Sequence, residues 1–221
     1  IHTFARVAAV LMEADPVALP AQPRLLWPTE VWDLLAPEVA ADARPVAERV
    51  MAVLGAATPV AVVRDSFEAM YWHFRHLQGR ESWMTDGPLI TRFAPPLGPG
   101  VAERFAWSSQ VSDAKFAAAA AFREAFTQQI ADLLGHDGVL LMPTMPDIAP
   151  LRAAPDSALE DYRNSAIRML CIAGLARTPQ ISLPLLTRHG APMGLSLLGP
   201  RGSDLSLIAL AQRLAAAGLG L

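Results

Sequence analysis

The chain has 221 residues, 52% of them hydrophobic and 18% charged, with a formal net charge of −3. That charge is too small and too acidic for a protein that grips nucleic acid by neutralising phosphates, and the apolar content is too high for a segment that stays disordered. The longest apolar stretches, 116–126 and 205–221, are interrupted by Arg123 and Glu124 or by Gln212 and Arg213, so no membrane span is predicted.

In chain order, Phe4, Val7, Val10 and Leu11 recur at helical spacing up to Asp15-Pro16. The sequence opens on Ile1-His2-Thr3-Phe4 without an initiator methionine and already in helical pattern, and is expected to belong to something larger. A proline-rich connector, 16–28, leads to a short strand or helix start within 25–35. Val39, Ala43, Val46, Val50 and Val53 mark a second helix with Gly55 just past its end, and the valines of 58–63 predict a buried strand. A helix from Asp65 shows an apolar face of Phe67, Met70, Tyr71, Phe74 and Leu77, followed by a glycine- and proline-bearing segment, 78–99. One long helix is predicted over 99–134, with Pro99 in its first turn and Gly135 at its end. Beyond it lie a strand (138–144), a helix (161–174), two strands (181–186 and 193–198) and a final helix that Ser203 can cap. Strands separated by helices, with the last two joined across Arg188-His189-Gly190, predict an α/β fold: a mixed sheet sandwiched between helices, its last pair an antiparallel hairpin.

Three passages rise above this pattern. Asp137-Gly138-Val139-Leu140-Leu141-Met142-Pro143-Thr144-Met145-Pro146, with Ala149-Pro150 after it, is a buried strand ending in a proline-stiffened loop, which presents Thr144 at a sheet edge where ligands commonly sit. The second joins Ile172-Ala173-Gly174-Leu175 to Thr178-Pro179-Gln180-Ile181-Ser182-Leu183-Pro184. The third runs Gly190-Ala191-Pro192-Met193-Gly194-Leu195-Ser196-Leu197-Leu198-Gly199-Pro200-Arg201-Gly202-Ser203-Asp204. In this order and spacing they resemble the C-terminal half of the amidase signature family. Phe4-Ala5-Arg6 is similar to the helix after that family's signature region. Segments 74–83 and 97–104 resemble its indole-3-acetamide hydrolase-like branch.

The resemblance covers nearly the whole chain and implies a single amidase domain whose C-terminal part is 1–221 and whose N-terminal catalytic half is not in this sequence. It implies hydrolysis of neutral aryl or alkyl amides to a carboxylic acid and ammonia, without a cofactor, by a Ser-cisSer-Lys triad in that other half. Its partners would be a small-molecule amide, the missing N-terminal segment and a second copy, with no nucleic acid and no membrane. The alternative is a non-catalytic amidase-like scaffold for protein contacts. No catalytic residue is expected here: the one adjacent serine pair, Ser108-Ser109, has no glycine beside it, and the only lysine, Lys115, one to two turns on along the same predicted helix, would be a solvated cation with a pKa near ~10.4 and no base.

Four residues are carried forward as substrate-binding candidates. The resemblance aligns Arg104 with an arginine by which related amidotransferase subunits hold a substrate carboxylate, against the plainer reading of an ion pair to Glu103 or Asp113. It aligns Asn164 near an aspartate that reads an ammonium there, so an uncharged asparagine suits a neutral amide; a helix-surface amide is the plainer reading. Thr144 sits at the strand end, and Trp83 is the aromatic offered for an apolar acyl pocket. A metal set of His73, His76 and Glu81 fits i, i+3 spacing but reads better as a solvated helix face, and no metal is expected. The lone Cys171 cannot form an internal disulfide, reads as a core residue, and favours a reducing compartment such as the cytoplasm.

Overall fold

Residues 1–98 and 100–220 are described by a computed structural model of the protein. Helix α1 (His2–Leu11) ends before the proline-rich passage, from which strand β1 (Arg24–Pro28) and the one-turn helix α2 (Thr29–Trp32) emerge. Helix α3 (Pro37–Leu54) begins on a proline, whose missing N–H costs nothing in a first turn, and stops at Gly55 with φ of 112°. There follow β2 (Thr58–Val60), α4 (Phe67–Phe93), α5 (Val101–Ser109), α6 (Asp113–Leu134), β3 (Gly138–Pro143), α7 (Asp156–Ala176), β4 (Gln180–Arg188), β5 (Ala191–Leu198) and α8 (Asp204–Ala216).

The strands form one mixed sheet in the order β2-β1-β3-β5-β4. Strand β1 runs parallel to β2 and β3, and β5 runs antiparallel to β3 and β4. The β4–β5 hairpin turns on His189 and Gly190, with φ of 50° and 79°, the two-residue geometry whose twist suits the flanking strands. All six residues of β3 are buried, so both faces of the sheet are covered at its centre, as the α/β expectation requires. Trp32, 1% exposed, stacks on Trp27 with centroids 4.0 Å apart and donates from its indole to the Leu141 carbonyl at 2.9 Å. Helix α6 adds Phe126, Ile130 and Leu134, each fully buried and each stabilising by roughly 1.5–3 kcal/mol.

Four expectations are corrected. The strand expected over 58–63 has only three residues and lies at the sheet edge, with Thr58 and Pro59 exposed and Val60 partly buried, and Pro59 has no N–H to donate. Its buried valine, Val62, lies beyond the strand, with its backbone held by the side chains of Glu30 and Gln129. The glycines of 78–99 do not break α4, which continues to Phe93. Gly79 and Gly87 serve close packing: a Cβ there would lie 2.5 Å from the Trp107 ring and 2.7 Å from the Trp83 ring. The helix expected over 99–134 is two helices, because Ser112 accepts from the Lys115 N–H at 3.3 Å and starts α6 afresh. Pro99 lies outside the described residues. Finally, Ser203 precedes α8 without capping it by a side-chain bond, its hydroxyl donating to the Pro200 carbonyl instead. The Asp15 carboxylate takes the N–H groups of Leu205 and Ser206 at 2.9 and 2.6 Å, so the first loop of the chain caps its last helix.

Candidate functional site

The three sequence passages meet at one depression of about 310 Å³ beyond the C-terminal end of β3. Thr144, Met145 and Ala149 come from the first, Ser182 to Pro184 from the second, and Pro192 to Gly194 from the third. The approach is close enough to require glycine, since a Cβ on Gly194 would lie 2.9 Å from the Leu183 carbonyl oxygen and 3.2 Å from Thr144 Oγ1. Thr144 is held twice: its N–H donates to the Gly194 carbonyl at 3.1 Å, and its Oγ1 lies 2.8 Å from Ser196 Oγ. Ser196 is fully buried and also accepts from Gln180 Nε2 at 2.9 Å, so a line of polar groups crosses the hairpin to fix the threonine's rotamer. The loop floor is tied by Arg188, which donates to Asp147 at 3.0 Å and pairs with Asp42 as well. Tyr162 donates to the Asp147 carbonyl at 3.0 Å, and burial, reinforced by the Asp147 charge, pushes its phenol above the ordinary value and keeps it a donor.

Arg104 lies elsewhere, in a cleft of about 290 Å³ between α4 and α5 with Arg75, Gly79, Trp107 and Ser108. Its Nε donates to the Gly100 carbonyl at 2.6 Å. The ion pair suggested for it does not form with Asp113, which pairs with Arg80 at 2.6 Å. Arg75 lies over the Trp107 ring at 5.1 Å, and His76 stacks on the same ring at 6.1 Å. Ser108 is 6% exposed, and the Ser109 hydroxyl donates to the Ala106 carbonyl at 2.7 Å. Lys115 sits on α6, past the Ser112 cap, and not on the helix of the serine pair.

Trp83 borders a third, shallower groove further along α4, with Met84 and Pro88. Asn164 lines none of these three depressions and is no surface amide: its Oδ1 accepts from Tyr71 Oη at 2.8 Å, tying α7 to α4. Arg104, Trp83 and Thr144 therefore face three separate concavities.

The histidines of α4 are not on a solvated face. His73 stacks on Phe122 of α6 at 4.2 Å, and Glu81 pairs with Arg123 at 2.9 Å. Burial holds both His73 and His76 below the ordinary histidine value, with Lys115 and His73 adding to the effect on His76 and Asp65 opposing it at His73. Among the described residues no group of three or more His, Cys, Asp or Glu is placed to hold a metal ion, and no helix is long and apolar enough to cross a membrane. Cys171 is fully buried and its thiol is pushed up to about 12 by burial, so it stays protonated and is no nucleophile.

Sequence reasoning missed Ser196, Gln180 and Arg75. Ser196 left a trace, a lone hydroxyl inside the apolar run 193–198, whereas Arg75 left none because its importance comes from a ring on another helix.

With this geometry in view, comparison with known proteins gives consistent results. The family model named Amidase matches residues 45–208. Amidase 1 of Arabidopsis thaliana is 34% identical over 151 residues, which are 68% of this chain and 36% of that protein. The chloroplastic outer envelope protein 64 of the same plant is 27% identical over 60% of this chain and 22% of that protein. A solved structure described as a crystal structure of amidase superposes with a TM-score of 0.80 at 21% identity, over 96% of this chain and 51% of that one. The chain thus corresponds to about half the length of that solved chain and about a third of the plant enzyme.

Proposed function

The chain belongs to the amidase family, and on that premise we propose that it forms the substrate-facing portion of an amide hydrolase whose Ser-cisSer-Lys triad is contributed by chain outside these 221 residues. The substrates are neutral amides of aryl or alkyl acids, hydrolysed without a cofactor to the carboxylic acid and ammonia in the cytoplasm. The observation that carries the reading is the convergence of all three family-like passages on the Thr144 depression, at the strand ends where α/β sheets present ligands.

In this reading the apolar depression receives the acyl part of the amide, and Thr144, held by Ser196 and Gln180, offers a fixed hydroxyl to the amide group. The attacking serine, its relay and the lysine base come from the other segment, together with the backbone N–H groups that take up the developing oxyanion. Within this chain neither Cys171, protonated and buried, nor Ser109, bonded to its own helix, is primed for attack. Arg104, Trp83 and Asn164 act at greater remove: Arg104 and Trp83 along the approach, Asn164 by holding α7 against α4. Helix α1 leaves Phe4, Val10 and Leu11 at 55%, 83% and 78% exposure, a surface suited to the triad-bearing segment.

The test is to produce the protein with the coding sequence that precedes Ile1 and to assay ammonia release from phenylacetamide and indole-3-acetamide. Turnover of either supports the reading, and silence across a broad panel of amides ends it. The second reading, a non-catalytic scaffold, is favoured by the similarity to outer envelope protein 64. It wins if the preceding coding sequence holds neither a glycine-flanked serine loop nor a lysine some tens of residues before it.

A further inference from the structure

We propose that residues 149–154 form a lid over the Thr144 depression, and that Leu151 is the side chain it closes onto a bound ligand. The connection between β3 and α7 divides into a tied part and a free part. Up to Ile148 it is held. Arg188, whose side chain is 10% exposed, donates to the Asp147 carboxylate at 3.0 Å, and Tyr162 donates to the Asp147 carbonyl at 3.0 Å. The Ile148 N–H donates to the same carboxylate at 2.7 Å, and its side chain packs against the core. Beyond Ile148 the ties stop. Residues 149–153 are exposed, and among the described residues the backbone of 149–154 makes one hydrogen bond, from the Ala154 N–H to the Leu151 carbonyl at 2.9 Å, which lies inside the segment. A stretch with so few contacts to the body shifts at little cost, while the Asp147 knot on one side and α7 on the other stay fixed.

The free part is built to move as a piece. The bond between Ala154 and Leu151 closes a turn with Leu151 in its first position, and Pro150 and Pro155 fix φ on either side, so the tip swings without unravelling. It starts at Ala149, which already lines the depression. Two residues extend at most about 7 Å, so the Leu151 backbone can pass from that rim to over the opening. What Leu151 would meet there is apolar: Met145, Leu183, Pro184, Pro192 and Met193 line the depression beside Thr144. Yet Leu151 stands 81% exposed, at a loop apex and not on a helix face such as that of Val10 and Leu11. A lone exposed leucine means little by itself. One tethered two residues from the rim of an apolar opening of about 310 Å³ is placed to cover it. Closure then excludes water from the apolar end of a ligand and leaves Thr144 to its polar end. That this ligand is the acyl part of an amide rests on the proposed amidase reading; the closure itself does not.

The experiment is disulfide trapping in the protein produced with the coding sequence that precedes Ile1. Leu151→Cys is combined with Pro192→Cys or, in a second variant, with Pro184→Cys, both at exposed hairpin positions that line the depression. A disulfide needs its two Cα atoms within about 7 Å, so the bond traps the lid across the opening. The native Cys171 is fully buried, with its thiol pushed up to about 12, and stays out of the reaction. Under mild oxidation the cross-link, identified by peptide mass, should form at least tenfold faster than in a control that pairs Leu151→Cys with Leu89→Cys, an exposed position on α4. If the protein hydrolyses phenylacetamide, cross-linking should cut turnover at least tenfold and reduction should restore it. A cross-link that forms with neither partner, or no faster than in the control, overturns the lid, as does a cross-linked enzyme with undiminished turnover. Because trapping is read by mass, an inactive protein ends the amidase reading and leaves the lid standing, and failure to trap leaves the amidase reading standing.

Discussion

Two concavities of the molecule are built on opposite plans. The depression beyond β3 is made by backbone: strands brought so close that Gly194 has no room for a side chain, with Thr144, Ser196 and Gln180 satisfying one another. The cleft between α4 and α5 is made by side chains of two helices around one tryptophan, and it keeps a buried donor unsatisfied. A polar network satisfied within itself fixes geometry, while a buried donor with no protein partner does not hold its side chain in place. The sheet-edge depression is therefore the one whose polar groups fix one another, and the helical cleft is the one that keeps a buried donor free.

Substitutions can break this contrast. The largest effect is expected at Gly194→Val, which pushes a branched side chain into the Leu183 carbonyl and Thr144. Overpacking of this kind costs about 3 kcal/mol, measured as a fall in the denaturant midpoint. Ser196→Ala strands Gln180 Nε2 and removes the Thr144 partner, at about 2 kcal/mol. If the proposed amidase is assembled, the same change should raise its KM more than a packing defect of equal cost elsewhere in the core. In the cleft, Gly79→Ala gains up to about 1 kcal/mol of helix propensity but drives a methyl into Trp107, for about 2 kcal/mol, so a net loss near 1 kcal/mol is expected. A stabilising Gly79→Ala would show that the tryptophan moves freely and that the cleft is not preformed.

The smallest effect is pH-dependent and belongs to the helical region alone. His73 and His76 have folded-state values lowered by burial, so the folded form favours the neutral rings. Stability is then full above the unfolded value, near ~6.5, and falls as the pH drops from there through the folded values. Thermal unfolding between pH 7 and 5 should show this slope, and His73→Phe with His76→Phe should flatten it while keeping the aromatic stacks. An unchanged slope in the double variant would place the titration elsewhere.

How much of this could be read in advance depends on the range over which the cause acts. The α/β alternation, the hairpin at His189-Gly190 and the stop at Gly55 are local, written in periodicity and turn residues, and were legible. The continuation of α4 through Gly79 and Gly87 was not, because glycine signals a break locally but here makes room for the rings of Trp107 and Trp83. Asp15 as the cap of α8 was equally hidden, its partners lying at Leu205 and Ser206. Of the four candidate site residues, Thr144 was placed by its strand end and lies where the motifs meet. Arg104 and Trp83 were placed by alignment and residue type, which carry no information on which concavity a helix faces, and they line separate ones.

On the proposed reading, this chain shapes a substrate site and takes its nucleophile from elsewhere. Ammonia release by the purified 221-residue protein, with phenylacetamide as substrate, tests it most directly. None is expected above the uncatalysed rate. Measurable turnover that Ser108→Ala or Ser109→Ala removes would contradict it, and would put the nucleophile at the end of α5 beside the arginine cleft.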